Sequence, residues 1–381
     1  MFEFINNRNV IVGENALAKL PQSLRWNECK RIFLTVFQND ASIVRRIIED
    51  LTREGFHITV YDKIVSEPDL IVIDSGAEAY QKSHCDCIVA VGGGSVIDAS
   101  KAIAMLVKNG GCIEEYQMEG RVVKHKPAVF FTVPTTAGTG AEATKISVIV
   151  NNHNGWKKSV YHDSMIAETV FLDPSAILSL PRKIMVSTGM DAITHAIESY
   201  ISLNATPISE MQSLKALELL SSNIECACRE PENLEAKTNM LLGSYLGGCA
   251  INCGISLAHI VGQPLGAIYH IPHGDACSIF LTHSMRANLS YATAKLARVA
   301  RELKADAFGL SDEEAALEGI RWIERLKQTI GAPGKLTDYV KAKDIDVEYA
   351  VEFILESMGH LKNNPRPLEA GVLREMIQAA I

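Results

Sequence analysis

The chain has no excess of positive charge, no apolar run of membrane length and no repeated Cys-x2-Cys pairs. Each absence removes a class of function. Lys and Arg number 37 against 45 Asp and Glu, a formal charge of −8, so no basic field is available to release counterions from a nucleic-acid backbone. Nucleic acid is therefore not an expected partner, although a local basic pocket for one small anion stays compatible with that balance. The most apolar region, Ile251 to Phe280, is broken by Asn252, His259, Gln263, His270, His273 and Asp275, well short of the roughly 18–20 residues a membrane span needs. The opening Met-Phe-Glu-Phe-Ile-Asn-Asn-Arg lacks a basic segment followed by an apolar run and a small-residue cleavage site, so a cytoplasmic protein with no membrane partner is expected. The nine cysteines are odd in number. The close pairs Cys85/Cys87, Cys226/Cys228 and Cys249/Cys253 read as buried, reduced thiols rather than metal or redox sites.

What is present is an ordinary globular composition, 47% hydrophobic and 22% charged, over 381 residues. That length suits two domains better than one core. Apolar, β-branched runs at Arg31–Phe37, His57–Asp62, Cys87–Val91 and Ala128–Val133 alternate with helical periodicities at Asp40–Glu54 and Asp74–Lys82. Such alternation implies a doubly wound, mostly parallel sheet. After Asp173-Pro174 and Leu180-Pro181 the pattern becomes helical: Met190–Ser202, Ile208–Ala227, Leu234–Asn252, Tyr291–Leu303, Asp312–Ile330, Val347–Leu361 and Leu368–Ala380. The expected division is an α/β domain over 1–180 and an all-α domain over 181–381. No internal repeat or low-complexity tract interrupts either.

Three motifs carry chemistry. In Val91-Gly92-Gly93-Gly94-Ser95-Val96-Ile97-Asp98 a buried strand gives way to three glycines and a helix. The backbone can there approach a ligand, and the helix N-terminus offers N–H groups to a pyrophosphate. This is not the Gly-x-Gly-x-x-Gly fingerprint, and a tight packing turn is the alternative. A second post-strand loop, Pro134-Thr135-Thr136-Ala137-Gly138-Thr139-Gly140, supplies three hydroxyls; it suits the ribose and nicotinamide end of a cofactor or, equally, a capped helix start. Gly189 to Tyr200 places Asp191 and His195 four residues apart, on one face of a helix. His259 and His273 add two more imidazoles, and one carboxylate with three imidazoles is enough to hold a divalent transition metal. Each histidine alone also reads as a surface or core residue.

Taken together, Gly92-Gly93-Gly94-Ser95 with Asp98, Pro134 to Gly140 with Glu142, Gly189-Met190-Asp191 with His195, and Pro264-Leu265-Gly266 with Pro272-His273-Gly274 resemble the iron-containing, or group III, alcohol dehydrogenase family. The resemblance covers nearly the whole chain. It implies the dehydroquinate synthase-like superfold: a dinucleotide-binding α/β domain followed by a helical metal-binding domain. It also implies metal ligands at Asp191, His195, His259 and His273. Cofactor contacts would fall on Gly93, Gly94, Ser95, Asp98, Thr135, Thr136, Thr139 and Lys158, with Asp98 near the nicotinamide end. The metal expected from the family is Fe²⁺ with Zn²⁺ as rival, and oligomers, homodimers or larger, are common; the edge near Phe2 to Val12 could pair across a two-fold axis.

Two departures from the family pattern stand out. Gln263 replaces a histidine often found four residues after the third ligand and cannot act as an acid or base; His270 is the candidate to take over proton transfer, with Asp98 the other catalytic candidate. The run Thr35-Val36-Phe37-Gln38 lacks the carboxylate that commonly accepts from the adenosine ribose, and also lacks a basic partner for a 2′-phosphate. NAD(H) is favoured and NADP(H) stays open. The expected reaction is hydride transfer between nicotinamide and a small primary alcohol or aldehyde, and a lining of Lys157, Lys158, His162 or His270 would extend it to an aldehyde with an anionic end (sulfonate, phosphonate or carboxylate). The competing readings are a lyase of the dehydroquinate synthase type that uses NAD transiently, and a non-enzymic protein that binds metal and nucleotide.

Overall fold

The computed structural model describes residues 2–38, 41–155, 157–359 and 361–381, and it divides into two compact units, one built mainly from Glu3–Thr136 and Gly140–Leu180, the other from Pro181–Ile381 with Ala137–Thr139.

In the first unit the chain runs β1 (Asn9–Val12), α1 (Leu20–Trp26), β2 (Arg31–Val36), α2 (Ser42–Arg53), β3 (His57–Tyr61), α3 (Leu70–Lys82), β4 (Cys87–Gly92), α4 (Gly94–Asn109), α5 (Ile113–Met118), β5 (Val129–Pro134), β6 (Ile146–Val150), β7 (Lys157–Tyr161) and β8 (Thr169–Leu172). Six strands form one sheet in the order β1-β8-β5-β4-β2-β3, and every pairing in it is parallel. The central strand β4 is buried along its whole length, as expected of a strand covered on both faces. Leu34, Val89, Val91, Phe131 and Phe171 belong to the core on one side of this sheet, with Ile47 and Leu51 of α2. The chain moves outward from β2 to β3, then returns past β2 to β4 and β5. Strand order therefore reverses between β2 and β4, and the loops at their carboxyl ends flank the position where such sheets bind ligands.

Two features of this unit differ from the sequence reading. β6 and β7 form a separate antiparallel pair, Val148 opposite Ser159, over a stretch to which the sequence reading assigns no element. The helix expected from Asp40 is present from Ser42; Asp40 itself lies outside the described residues.

The second unit is helical: α6 (Arg182–Ile201), α7 (Pro207–Arg229), α8 (Leu234–Ile251), α9 (Leu257–Tyr269), α10 (His273–Ala287), α11 (Thr293–Glu302), α12 (Asp312–Ile330), α13 (Val347–Met358) and α14 (Ala370–Ala379). Local signals set several boundaries. Thr206 and Ser209 form a reciprocal capping box at the start of α7, with Pro207 as its first residue. Ser311 and Glu314 do the same for α12, which ends at Gly331 with φ +74°. Packed against one another, α9, α10, α13 and α14 build a core from Leu257, Val261, Phe280, Ile354 and Leu373. Among the described residues no helix is long and apolar enough to cross a membrane.

Candidate metal centre and cofactor loops

α6 is buried on nearly every face, including at Asp191, His195 and Glu198. These three positions follow an i, i+4, i+7 pattern and so share one side of the helix. Glu198 then organises α9. The cap residue Ser256 makes no side-chain capping bond. Instead the Glu198 carboxylate accepts from the backbone N–H of Ser256 at 3.1 Å and of Ala258 at 2.6 Å. It also accepts from His259 Nδ1 at 2.7 Å. That bond makes Nδ1 the protonated nitrogen and leaves Nε2 with a lone pair.

α10 begins with His273 immediately after Pro272. Two glycines let it approach its neighbours. A Cβ on Gly274 would lie 2.2 Å from the Ser187 carbonyl oxygen on α6, and one on Gly262 of α9 would lie 3.1 Å from backbone atoms of Ala276 and Cys277. A side chain at Gly274 would push the start of α10 away from α6, one turn before Asp191.

The result is convergence on one oxygen. Asp191 Oδ1 lies 3.8 Å from His195 Nε2, 3.4 Å from His259 Nε2 and 3.6 Å from His273 Nε2. The rings of His195 and His259 stack at 4.6 Å between centroids. Asp191 Oδ1 and His259 Nε2 are both buried without a hydrogen-bond partner, which would cost about 1–3 kcal/mol for each neutral group and more for a charge. A tetrahedral ion with bonds of ~2.0–2.2 Å to N and O would hold its donors about 3.3–3.6 Å apart. The three separations lie within 0.2 Å of that range, and the donors of Asp191, His259 and His273 also lie within 4.8 Å of one another, which fits a divalent transition-metal ion; His195, the farthest at 3.8 Å, falls outside that mutually close set.

Without an ion these groups perturb one another's charge. Burial alone would raise the Asp191 carboxyl, but His195, His273 and His259 outweigh it and hold it well below the usual carboxylate range. Burial lowers His195 against the opposing pull of Asp191. It would lower His259 too, yet Cys277, Glu198 and Asp191 raise that imidazole well above its ordinary value.

Sequence reasoning passed over two residues here. Glu198 lies inside the Gly189–Tyr200 stretch, and its i+7 relation to Asp191 was the available signal. Cys277 belongs to the mutually close set Asp191, His259, His273 and Cys277, whose donor atoms all lie within 4.8 Å of one another. Its signal was the i+4 spacing from His273.

The proposed cofactor residues lie mostly in the first unit. Gly92 of β4 pairs with Pro134 of β5, so the two loops leave the sheet side by side, and Thr135 N–H donates to the Gly92 carbonyl at 3.0 Å. Gly93 is the N-cap of α4, which starts at Gly94 and Ser95; a Cβ on Gly93 would lie 3.2 Å from Thr136 Cγ2 and Oγ1. Thr135, Thr136 and Thr139 are all half-buried. Asp98 Oδ2 accepts from Val148 N–H at 3.0 Å, while Oδ1 lies 3.5 Å from Lys101 Nζ and has no hydrogen-bond partner. Burial raises its pKa, with Lys101 and the Val148 N–H opposing. Lys158 is exposed on β7, its Nζ 4.0 Å from Met118 Sδ. His270 is exposed and closes α9 in the left-handed region, with φ 54°; among the described residues it is not one of the donors gathered at Asp191.

Two family profiles match the chain: iron-containing alcohol dehydrogenase over residues 7–174, and the C-terminal part of the same family over residues 185–381. The chain belongs to the iron-containing alcohol dehydrogenase family. Like other members of that family it is an oxidoreductase acting on alcohols or aldehydes. Its relatives include a 1,3-propanediol dehydrogenase of Citrobacter freundii, 30% identical over 100% of this chain and 99% of that protein. Similar solved structures include an alcohol dehydrogenase from Oenococcus oeni, 28% identical, TM-score 0.95, covering 100% of both chains. A sulfoacetaldehyde reductase from Bifidobacterium kashiwanohense in complex with NAD⁺ is 28% identical, with TM-score 0.89, covering 100% of this chain and 98% of that one. Membership in an enzyme family sets aside the non-enzymic reading.

Proposed function

We propose that this iron-containing alcohol dehydrogenase family member is an NAD(H)-linked reductase of small aldehydes, reversible toward the primary alcohol, in which Asp191, His195, His259 and His273 hold a divalent ion. The observation that carries this reading is the convergence of three imidazole Nε2 atoms on Asp191 Oδ1, with that oxygen and His259 Nε2 buried and unpartnered. Fe²⁺ is the first choice of metal and Zn²⁺ the alternative, since the donor set suits both.

The bound ion supplies Lewis-acid polarisation of the substrate oxygen, and the nicotinamide supplies or accepts the hydride. The chain's own residues do the rest. Glu198 holds the His259 ring in one tautomer. The first turn of α4, at Gly93, Gly94 and Ser95, presents backbone N–H groups to a pyrophosphate. The hydroxyls of Thr135, Thr136 and Thr139 line the sugar and nicotinamide, and Asp98, held by Lys101 and the Val148 N–H, positions the loop at the nicotinamide end more than it carries a proton. Lys158 contacts the cofactor only if its exposed chain swings to it. We place proton exchange with water at His270, three residues before His273. Residues 1–180 are assigned to the cofactor and 181–381 to metal and substrate.

A second substrate reading, an aldehyde with an anionic end, is favoured by the similarity to the sulfoacetaldehyde reductase. Against it, Lys157 is paired with Glu67 and His162 Nδ1 is engaged by Ser164, which leaves Lys158 and His270 to meet an anion. A homodimer paired through the β1 edge is our assembly proposal, and sedimentation as a monomer would exclude it.

The test is NADH and NADPH oxidation with neutral and anionic short aldehydes, using the unsubstituted protein and His259→Ala. The proposal expects NADH to be the better cofactor, propanal or lactaldehyde to have the higher kcat/KM, and the variant to lose metal and turnover together. Turnover by a metal-free His259→Ala protein would refute the metal assignment.

A further inference from the structure

Two helices each offer a pair of donors one turn apart toward the same point. On α6 the pair is Asp191 and His195; on α10 it is His273 and Cys277, and α9 adds His259. Cys277 is fully buried. Its Sγ is hydrogen-bonded to His273 Nε2 at 3.8 Å, a separation close to the ~3.6 Å that a shared tetrahedral ion would impose with a metal–sulfur bond of ~2.3 Å and a metal–nitrogen bond of ~2.1 Å. The donors of Asp191, His259, His273 and Cys277 are mutually within 4.8 Å. An ordinary buried cysteine behaves as a small hydrophobe among apolar side chains; this one faces an ionised carboxylate and the unpartnered Nε2 of His259.

We infer that Cys277 is a thiolate donor to the ion held by Asp191, His259 and His273. On coordination the Sγ–H bond breaks, its proton passes to solvent and the sulfur lone pair forms the metal bond. The centre is then a mixed carboxylate–imidazole–thiolate site in which Cys277 joins the proposed donors Asp191, His195, His259 and His273. A thiolate favours Zn²⁺ and Co²⁺ over an all-nitrogen and oxygen set. The inference rests on the metal centre proposed above.

Cobalt separates the two ideas. Metal-stripped full-length protein is loaded anaerobically with Co²⁺ and its absorption spectrum recorded, alongside Cys277→Ser, Cys277→Ala and His195→Ala. The unsubstituted protein should show visible d–d bands of a bound ion together with a near-ultraviolet sulfur-to-cobalt charge-transfer band. Both cysteine variants should lose the charge-transfer band and keep d–d absorption, while His195→Ala keeps the charge-transfer band. Visible bands without the charge-transfer band in the unsubstituted protein, or a charge-transfer band that survives in either cysteine variant, would overturn the thiolate assignment and leave the metal centre standing. No d–d absorption at all in the unsubstituted protein would overturn both.

Discussion

Replacing Glu198 by Gln tests the organisation of the centre without touching a proposed ligand. The carboxylate accepts from Ser256 N–H and His259 Nδ1 through one oxygen and from Ala258 N–H through the other. An amide has one acceptor oxygen only, so in either orientation its NH2 faces a donor. With the oxygen kept at Ala258, the shorter backbone bond, the NH2 faces His259 Nδ1. That ring then escapes a donor–donor clash only by moving its proton to Nε2, the atom turned toward Asp191 Oδ1 at 3.4 Å. A protonated Nε2 cannot ligate. Loss of a partner of this kind typically weakens metal binding about 10–100-fold, or about 1.4–2.7 kcal/mol. The unmet Ser256 N–H adds about 1–3 kcal/mol to the loss of folding stability. Zn²⁺ competition against a chelating dye measures the first effect and thermal unfolding of the stripped protein the second. Metal affinity for Glu198→Gln equal to that of the unsubstituted protein would refute the tautomer argument.

Three further predictions concern the scaffold. Gly274→Ala should destabilise by at least the ~1–3 kcal/mol of an overpacked core, because its Cβ meets the Ser187 backbone; thermal denaturation checks it, and an unchanged Tm would show that the α6–α10 approach is not tight. Gly93→Val should raise the KM for NADH well above any change in metal content, since its side chain would press on Thr136; equal NADH affinity by fluorescence titration would count against the loop. Glu142 is buried, and burial pushes its carboxyl from 4.5 up to about 7, with Lys101 opposing. An acid raised in the folded state stabilises fully below pH 4.5, and that contribution is lost as the pH rises through about 7. Glu142→Gln should therefore gain Tm relative to the unsubstituted protein on going from pH 5 to pH 8, and a pH-independent difference would contradict this.

The inner strands β2, β4 and β5 were legible because they are buried nearly along their whole length, while β1 and β8 were not read. Cys87–Val91 reads as a continuous apolar run, and the triple glycine after it can hardly be anything but a strand-to-helix turn. The β6–β7 pair was not assigned: Ile146–Val150 is β-branched, but Asn151–Gly155 and Lys157-Lys158 look like loop and hide its partner strand. In the helical unit α7 and α12 announced themselves through length, caps and period, and α8 through its length and its Asn233 cap. α9 and α10 did not. Leu257–Leu265 is buried almost all round and carries Pro264 inside the helix, a residue that in sequence marks a helix end. His259 and His273 were picked out as imidazoles and given a ligand role by motif resemblance, whereas the roles of Glu198 and Cys277 depend on which helix faces meet, which the close Ser187–Gly274 and Gly262–Ala276 approaches help to set.

The central claim is that the ion held around Asp191 is required for aldehyde reduction. The direct measurement is NADH-dependent propanal reduction by protein stripped with a chelator, verified metal-free by elemental analysis, then restored with Fe²⁺ under anaerobic conditions or with Zn²⁺. Stripped protein should still change NADH fluorescence on binding but turn nothing over, and added metal should restore turnover. Steady reduction of propanal by verified metal-free protein would contradict it.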